Sequence, residues 1–255
     1  HSPIRMYEQL RYLLLQVRNS HDPMRTQEVD CFANALHCDA SQISVYDLLS
    51  GVPTRAEIDA VDMVLLGGSG DYSVATGGDW LPAALDAMRE LYDWDKPTFA
   101  SCWGFQAMAK ALGGDVVTDM NRAELGTLDI RLTQQAQEDP VFGPLPSVFR
   151  AHVGHQDIVD SLPEDAILLA STDRVTNQAF RIANKPIYCT QFHPELRRDS
   201  YLQRLIAYPS YVERIAGVSF EEFAASCTEA PDTDTLLPRF VRHVFGPKEQ
   251  RAGRA

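Results

Sequence analysis

The chain is poor in several things that would each announce a function. Basic residues are scarce: 23 Lys and Arg face 35 Asp and Glu, for a formal net charge of -12. A phosphate backbone or an anionic membrane demands the opposite surplus, so neither is an expected partner. No apolar run approaches the roughly 18 residues needed to span a bilayer. The longest near the start, YLLLQV, is too short, and no small-residue cleavage site of a signal peptide follows it. The first residue is His1 rather than Met, so a trimmed or altered natural start is the expectation. The five cysteines form no C-x-x-C pair and are odd in number, which argues against a disulfide framework or a zinc site. A reducing, cytoplasmic setting fits them. The phosphate-binding G-x-x-x-x-G-K-[ST] and dinucleotide G-x-G-x-x-G patterns are both missing. Repeats and low-complexity tracts are missing too. No metal and no cofactor is expected.

What is present is an alternation of strand and helix. LRYLLLQV (Leu10 to Val17) is a continuous apolar run and predicts a buried strand. Met24 to Leu36 has helical spacing after Asp22-Pro23, a helix start. Strands follow at Ile43 to Leu48, Val61 to Leu66 and Thr98 to Ser101. Helices are predicted at Trp80 to Tyr92 and Gly104 to Leu112, with a short helix or loop at Pro53 to Ala60. Such alternation predicts an α/β fold: a mostly parallel central sheet flanked by helices. From Asp115 to Phe192 short β-type runs dominate, DVVTDM through PIYCTQF, and predict antiparallel strands added to the same sheet. Helices return from Leu196 to Tyr211, Ser219 to Cys227 and Thr235 to Phe245. The expected division is one domain over residues 1–200 and a helical C-terminal extension over 201–255. The last residues, GPKEQRAGRA, read as a frayed tail.

Three stretches carry chemistry. In TFASCWGFQ a single thiol, Cys102, stands where a strand meets a helix. A nucleophile on such a corner is held out of the sheet toward substrate, provided its neighbours at minus two and plus two are small. Here those are Ala100 and Gly104. The helix that follows turns its N–H groups toward the thiolate and favours it. The amide of Trp103 can serve as an oxyanion donor. In YCTQFHPEL a strand ends in His193, and Glu195 stands two residues on. Such a pair can orient an imidazole that takes a proton from the thiol. Taken alone, a His-x-Glu is more often a surface histidine and a helix-start glutamate. In LLGGSGDYS a strand runs into three glycines within four residues, a place for close backbone approach. A buried strand-end cysteine and a plain turn are the bland alternatives for the first and third.

Together these stretches resemble the class I glutamine amidotransferases. That family's elbow G-x-C-x-G-x-Q is matched by ASCWGFQ, its F-H-P-E by QFHPE, and its oxyanion Gly pair by Gly67 and Gly68. AELGTLDI resembles the R-E-Y-G element of the GMP-synthase-like branch, and GHQDIV resembles its S-H-G-D-x-V element. The resemblance covers about residues 10 to 200 and implies a flavodoxin-like fold. It also implies a triad of Cys102, His193 and Glu195, an oxyanion hole at Gly68 and Trp103, and a substrate contact at Gln106. His155 and Asp157 fall where support for the site is expected. The sequence departs from the pattern at Ala100, Trp103, Phe105, Ser69 and Ala123. The synthase signature S-G-G-x-D-S is absent, so ammonia, if delivered, goes to a separate synthetase subunit. Three functions stay open: a glutaminase acting on L-glutamine, a γ-glutamyl amide or peptide hydrolase without a synthetase partner, and a silent binding module. His152 reads as a satisfied core or loop histidine, and Cys189 as core packing. Cys31 and Cys38, seven apart, are placed where they would share a helix face.

Overall fold

The computed structural model describes residues 9–247; the start of the chain and most of the expected frayed tail lie outside the described residues. Strands β1 (Tyr12–Gln16), β2 (Ile43–Asp47), β3 (Met63–Leu66) and β4 (Thr98–Ser101) alternate with helices. The helices are α1 (Met24–Leu36), α2 (Arg55–Asp59), α3 (Leu81–Asp93) and α4 (Trp103–Ala111). Then come β5 (Asp115–Thr118), β6 (Glu124–Leu132), β7 (Val148–His155), β8 (Asp157–Ser161), β9 (Ala166–Ser171), β10 (Ala179–Ile182) and β11 (Ile187–Thr190). Helices α5 (Arg198–Ala207), α6 (Phe220–Ser226) and α7 (Leu236–Phe245) complete the described chain. No helix among the described residues is long and apolar enough to cross a membrane.

Nine strands make one sheet in the order β2-β1-β3-β4-β11-β10-β9-β6-β7. The first five run parallel, and the other four continue the sheet antiparallel. Two expectations shift. β11, grouped by its texture with the antiparallel runs, inserts parallel beside β4, in register Cys189 with Ala100. DVVTDM leaves the main sheet: β5 pairs with β8 in a separate two-stranded ribbon. Both strands are short, and periodicity alone does not choose a partner for so short a run.

Apart from the edge strand β2, the parallel strands are buried on both faces, which is why β1 reads as an unbroken apolar run. Leu13 and Leu15 face a core shared with Leu85 and Met88 of α3 and Phe105 and Met108 of α4. Tyr12 and Leu14 face the opposite core, shared with Phe32 and Leu36 of α1. Helix α7 enters that second core: Phe240 packs edge-on against Phe99 of β4 and Tyr188 of β11. The α2 segment resolves as a helix because Thr54 caps it. Its hydroxyl accepts from the Glu57 amide and the Glu57 carboxylate accepts from the Thr54 amide. Cys38 lies past the end of α1, where His37 turns left-handed, so the two cysteines do not share a helix face.

Three consecutive neighbours in the sheet, β3, β4 and β11, all end at the same edge. Gly67 follows the first, Cys102 the second and Gln191 the third. The carboxyl edge of a parallel sheet is where loops are free to hold ligand.

Candidate active site

The corner at Cys102 is conformationally costly. Its φ is 54° and its ψ is -106°, a region that non-glycine residues rarely occupy. Such residues cost on the order of 1–3 kcal/mol and persist only where the surroundings over-determine them. Two hydrogen bonds do so here. The Cys102 amide donates to Thr190 O at 2.8 Å, and the Gly104 amide donates to Gly67 O at 3.2 Å. The corner is thus stitched to both flanking strands. A Cβ on Gly104 would lie 2.5 Å from Leu66 Cβ and 3.1 Å from Ala100 Cβ. That crowding is the reason for small residues on either side of the thiol.

The glycine pair has a different cause. A Cβ on Gly67 would stand 2.5 Å from Glu28 Oε2. Glu28 accepts from Arg18 Nη2 at 2.7 Å, with both side chains fully buried. Gly67 lets β3 pass this ion pair. A Cβ on Gly68 would stand 3.3 Å from both Arg18 Nη2 and His193 Cε1. Gly68 therefore lies between the ion pair and the histidine, and it lines the cavity that Cys102 and His193 share.

His193 is buried, and its amide donates to His152 O at 2.9 Å. Its Nδ1 donates to Glu195 Oε1 at 2.7 Å, which leaves Nε2 as the nitrogen available for proton transfer. Burial pulls the imidazole pKa down. The Glu195 carboxylate and then Cys102 more than reverse this, and it is pushed up to about 9. Burial also works against the charge on Glu195, yet His193 and Arg204 hold it below the usual carboxylate range. Ser101 Oγ sits between, 3.4 Å from Glu195 Oε1 and 3.3 Å from Leu66 O. A protonated imidazole beside a thiol stabilises the thiolate, the form that attacks.

Two cavities flank the thiol. Gly154 and Tyr211 line both. The first holds His193 and is walled by Arg18, Tyr201, Arg204 and Tyr208. The second holds Trp103, Gln106, His155 and Asp157, and is closed by the loop from Ser69 to Ser73. Gln106 is buried in the first turn of α4. Its amide nitrogen donates to Asp157 O at 3.0 Å and Gln191 Oε1 at 3.1 Å. His155 pairs with Glu124 Oε1 at 2.8 Å and, through Nδ1, with Asp157 O at 2.9 Å. The Asp157 carboxylate accepts from Ser73 Oγ at 2.5 Å, Ala75 N at 3.2 Å and Thr118 Oγ1 at 2.6 Å. It therefore ties the loop after β3 to the β5–β8 ribbon.

The bulky residues around the elbow have partners. Trp103 packs on Trp80 with ring centres 5.6 Å apart, and Phe105 packs on Phe180 at 5.1 Å. Phe105 thus points into the core, while Trp103 also lines the second cavity. His152 is fully buried, stacks on Tyr201 at 4.9 Å and meets Thr127 Oγ1 at 3.1 Å through Nδ1. Its Nε2 has no hydrogen-bond partner among the described residues, so this histidine is only half satisfied. Burial, with His193 nearby, lowers its pKa to about 4. Cys189 is completely buried in β11. The motifs do not contain Arg18, Tyr201, Arg204, Tyr208 or Tyr211. Arg18 left a signal: a charge directly after the apolar β1 run, at the carboxyl edge of the sheet. The others sit on amphipathic helix or irregular chain and left none.

The family model for glutamine amidotransferase class-I matches residues 28–207. The chain is 33% identical over 118 residues to the GMP synthase [glutamine-hydrolyzing] of Petrotoga mobilis, covering 46% of this chain and 22% of that protein. It thus spans about a quarter of the length of the GMP synthases it matches. It is 28% identical over 200 residues to gamma-glutamyl peptidase 4 of Arabidopsis thaliana, covering 76% of this chain and 79% of that one. A solved glutamine amidotransferase from Thermotoga maritima superposes with a TM-score of 0.73 at 19% identity, over 92% of this chain and 97% of its own. That likeness is one of fold. The extent of the family match, over most of the described chain and all three strand ends, means that this protein belongs to the class I glutamine amidotransferases.

Proposed function

We propose that the protein hydrolyses the side-chain amide of L-glutamine through Cys102, His193 and Glu195. One observation carries this reading. A thiol at the strained end of β4 shares a cavity with a histidine whose Nδ1 is held by a buried carboxylate at 2.7 Å. The Cys102 thiolate attacks the γ-carbonyl carbon. The oxygen takes up the charge against the amides of Gly68 and Trp103. As the tetrahedral species collapses, His193 gives its proton to the departing nitrogen and ammonia leaves. The neutral imidazole then takes a proton from water, which attacks the γ-glutamyl thioester. Glutamate leaves and the thiol is restored. One glutamine and one water become one glutamate and one ammonia, and no cofactor is needed. Ammonia passes to a separate synthetase subunit or to solvent.

A second reading has its own support. The peptidase relative aligns over more than three quarters of both chains. The leaving group on this reading departs through the His193-side cavity, whose wall includes Tyr201, Tyr208 and Tyr211. On this reading the donor is a γ-glutamyl peptide and the leaving group is an amino acid or amine.

The test is glutamate release from L-glutamine and, separately, from γ-glutamyl peptides, with Cys102→Ala in parallel. Release from glutamine that disappears in the variant supports the first reading. Release from peptides alone selects the second. Equal release from wild type and variant removes the triad. If both are silent, the rate of Cys102 alkylation against pH decides: an ordinary thiol titration near 8.5 points to a silent module.

A further inference from the structure

The carboxylate that orients His193 has a second cationic neighbour, and it comes from outside every motif. Arg204 is on α5, is buried, and lies with Nη1 3.6 Å from Glu195 Oε1. Its guanidinium is not free to choose this place. Nε and Nη2 both donate to Gln27 Oε1, at 3.2 and 2.9 Å. Gln27 is itself fixed from α1, since its Nε2 donates to Ser200 O at 2.9 Å. The fork is therefore clamped on one side, and Nη1 is left facing Glu195. Nη1 has no hydrogen-bond partner among the described residues. A guanidinium nitrogen buried without a hydrogen bond is costly unless its charge is used. Among the described residues, Glu195 Oε1 is its ion-pair partner.

We infer that Arg204 is a positioning residue: it holds Glu195 against His193 and limits how much of the carboxylate's charge the imidazole receives. The inference rests on the reading of Glu195 as the group that orients His193. The chemistry explains why such a limit is useful. His193 has to be an imidazolium while the thiolate attacks and a free imidazole when water attacks the thioester. A carboxylate with no competing cation favours only the first state. Arg204 takes part of the Glu195 field, which lowers the hold on the imidazolium and lets the second step proceed near neutral pH.

Other charged or titratable groups surround the pair and do not take this role. Cys102 faces His193 from the elbow and favours its protonation. His152 backs it from β7 and is neutral at pH 7, its pKa being lowered to about 4. Arg18 approaches past Gly68, but Glu28 matches its charge at 2.7 Å. Cys31 of α1 lies within the field of Glu195 and Arg204, and burial keeps it a thiol. Tyr201 and Tyr211 line the same cavity with their pKa values raised by burial. Tyr208 is raised in the same way, although Arg18 opposes the shift.

The experiment is an NMR titration of the His193 imidazole between pH 5.5 and 10.5 in wild type, Arg204→Met, Arg204→Gln and Arg204→Lys. The signal is assigned by its loss in His193→Gln. Thermal unfolding and steady-state hydrolysis are run on the same samples. Losing the charge is expected to raise the His193 midpoint by about one pH unit. Turnover at pH 7 should then fall about tenfold, because the free-imidazole fraction falls by that factor, with KM within about twofold of wild type. Arg204→Lys should retain most of the wild-type midpoint. Should Arg204→Met fail to fold, Arg204→Gln keeps an amide for Gln27 and carries the same expectation. A folded neutral variant with an unchanged His193 midpoint overturns the inference and leaves Arg204 as a packing residue. The titration does not depend on activity. A protein inert toward glutamine that still shows the shift loses the proposed substrate, not the role of Arg204.

Discussion

The two halves of the sheet divide the labour. The parallel half, β2-β1-β3-β4-β11, ends in the glycine pair, the thiol and the chain leading to His193. The antiparallel half, β10-β9-β6-β7, carries on β6 and β7 groups that hold others: Glu124 on His155, Thr127 on His152, and Gly154 beside the thiol. The parallel half gathers the proposed reacting groups because its strands all finish at one edge. Antiparallel neighbours finish at opposite edges and deliver at most every other strand end. What they supply instead is a wall, with buried polar side chains bonded across it. The contrast implies that damage to the first half is read as lost chemistry and damage to the second as lost stability.

The sharpest way to break that contrast is at the thiol. Cys102→Ala is expected to lower turnover by at least about a thousandfold while the melting temperature stays near that of wild type, measured by glutamate release and thermal unfolding. Next comes Gly67→Ala, a change in the parallel half whose main effect is expected on stability. The added methyl drives into Glu28 and splits a buried ion pair, at a cost of about 3 kcal/mol in denaturant unfolding. Glu195→Gln should slow turnover about a hundredfold and bring the His193 midpoint down from about 9. It also has a stability signature. A raised pKa adds stability below the unfolded value of 6.5, and that stability is lost as pH rises toward 9; the glutamine variant should lack this slope.

In the antiparallel half, His152 works in the opposite sense. Its pKa is lowered from 6.5 to about 4, so the native state resists a proton that the unfolded chain accepts. Stability present above pH 6.5 is therefore lost as pH falls toward 4. His152→Phe keeps the stack on Tyr201 and removes the titration. It should flatten this limb, recovering about 2 kcal/mol at pH 5 relative to pH 8. The smallest effect is expected from Thr118→Val, which deletes one hydrogen bond to Asp157, about 1 kcal/mol with turnover nearly unchanged.

The same division decides what was legible in the sequence. The parallel strands announce themselves because burial on both faces leaves a continuous apolar run, as in YLLLQ of β1 and MVLL of β3. The elbow is legible because its crowding forces small residues at fixed offsets from Cys102. Partnerships across the fold are less so. Nothing in DVVT tells it to leave the main sheet for β8, and nothing in IYCT distinguishes insertion beside β4 from an antiparallel pairing. Arg204 meets Gln27 across 177 positions of sequence. Gly67 looks like a ligand-contact glycine until Glu28 is seen against it. Local pattern records the needs of the backbone; it does not record which distant side chain meets them.

The placement of β11 carries a last consequence, one of timing. It is the final strand of the sheet to emerge during synthesis, yet it occupies the sheet's middle, between β4 and β10. A nascent chain that has already made the Cys102 corner still lacks Thr190, the carbonyl that fixes its amide, and His193, the proposed proton carrier. Until that strand slots in, the two halves of the sheet are unjoined. On the proposed mechanism, reactivity at Cys102 therefore waits on the insertion of β11, and a copy that stops short of that strand lacks the base the mechanism requires.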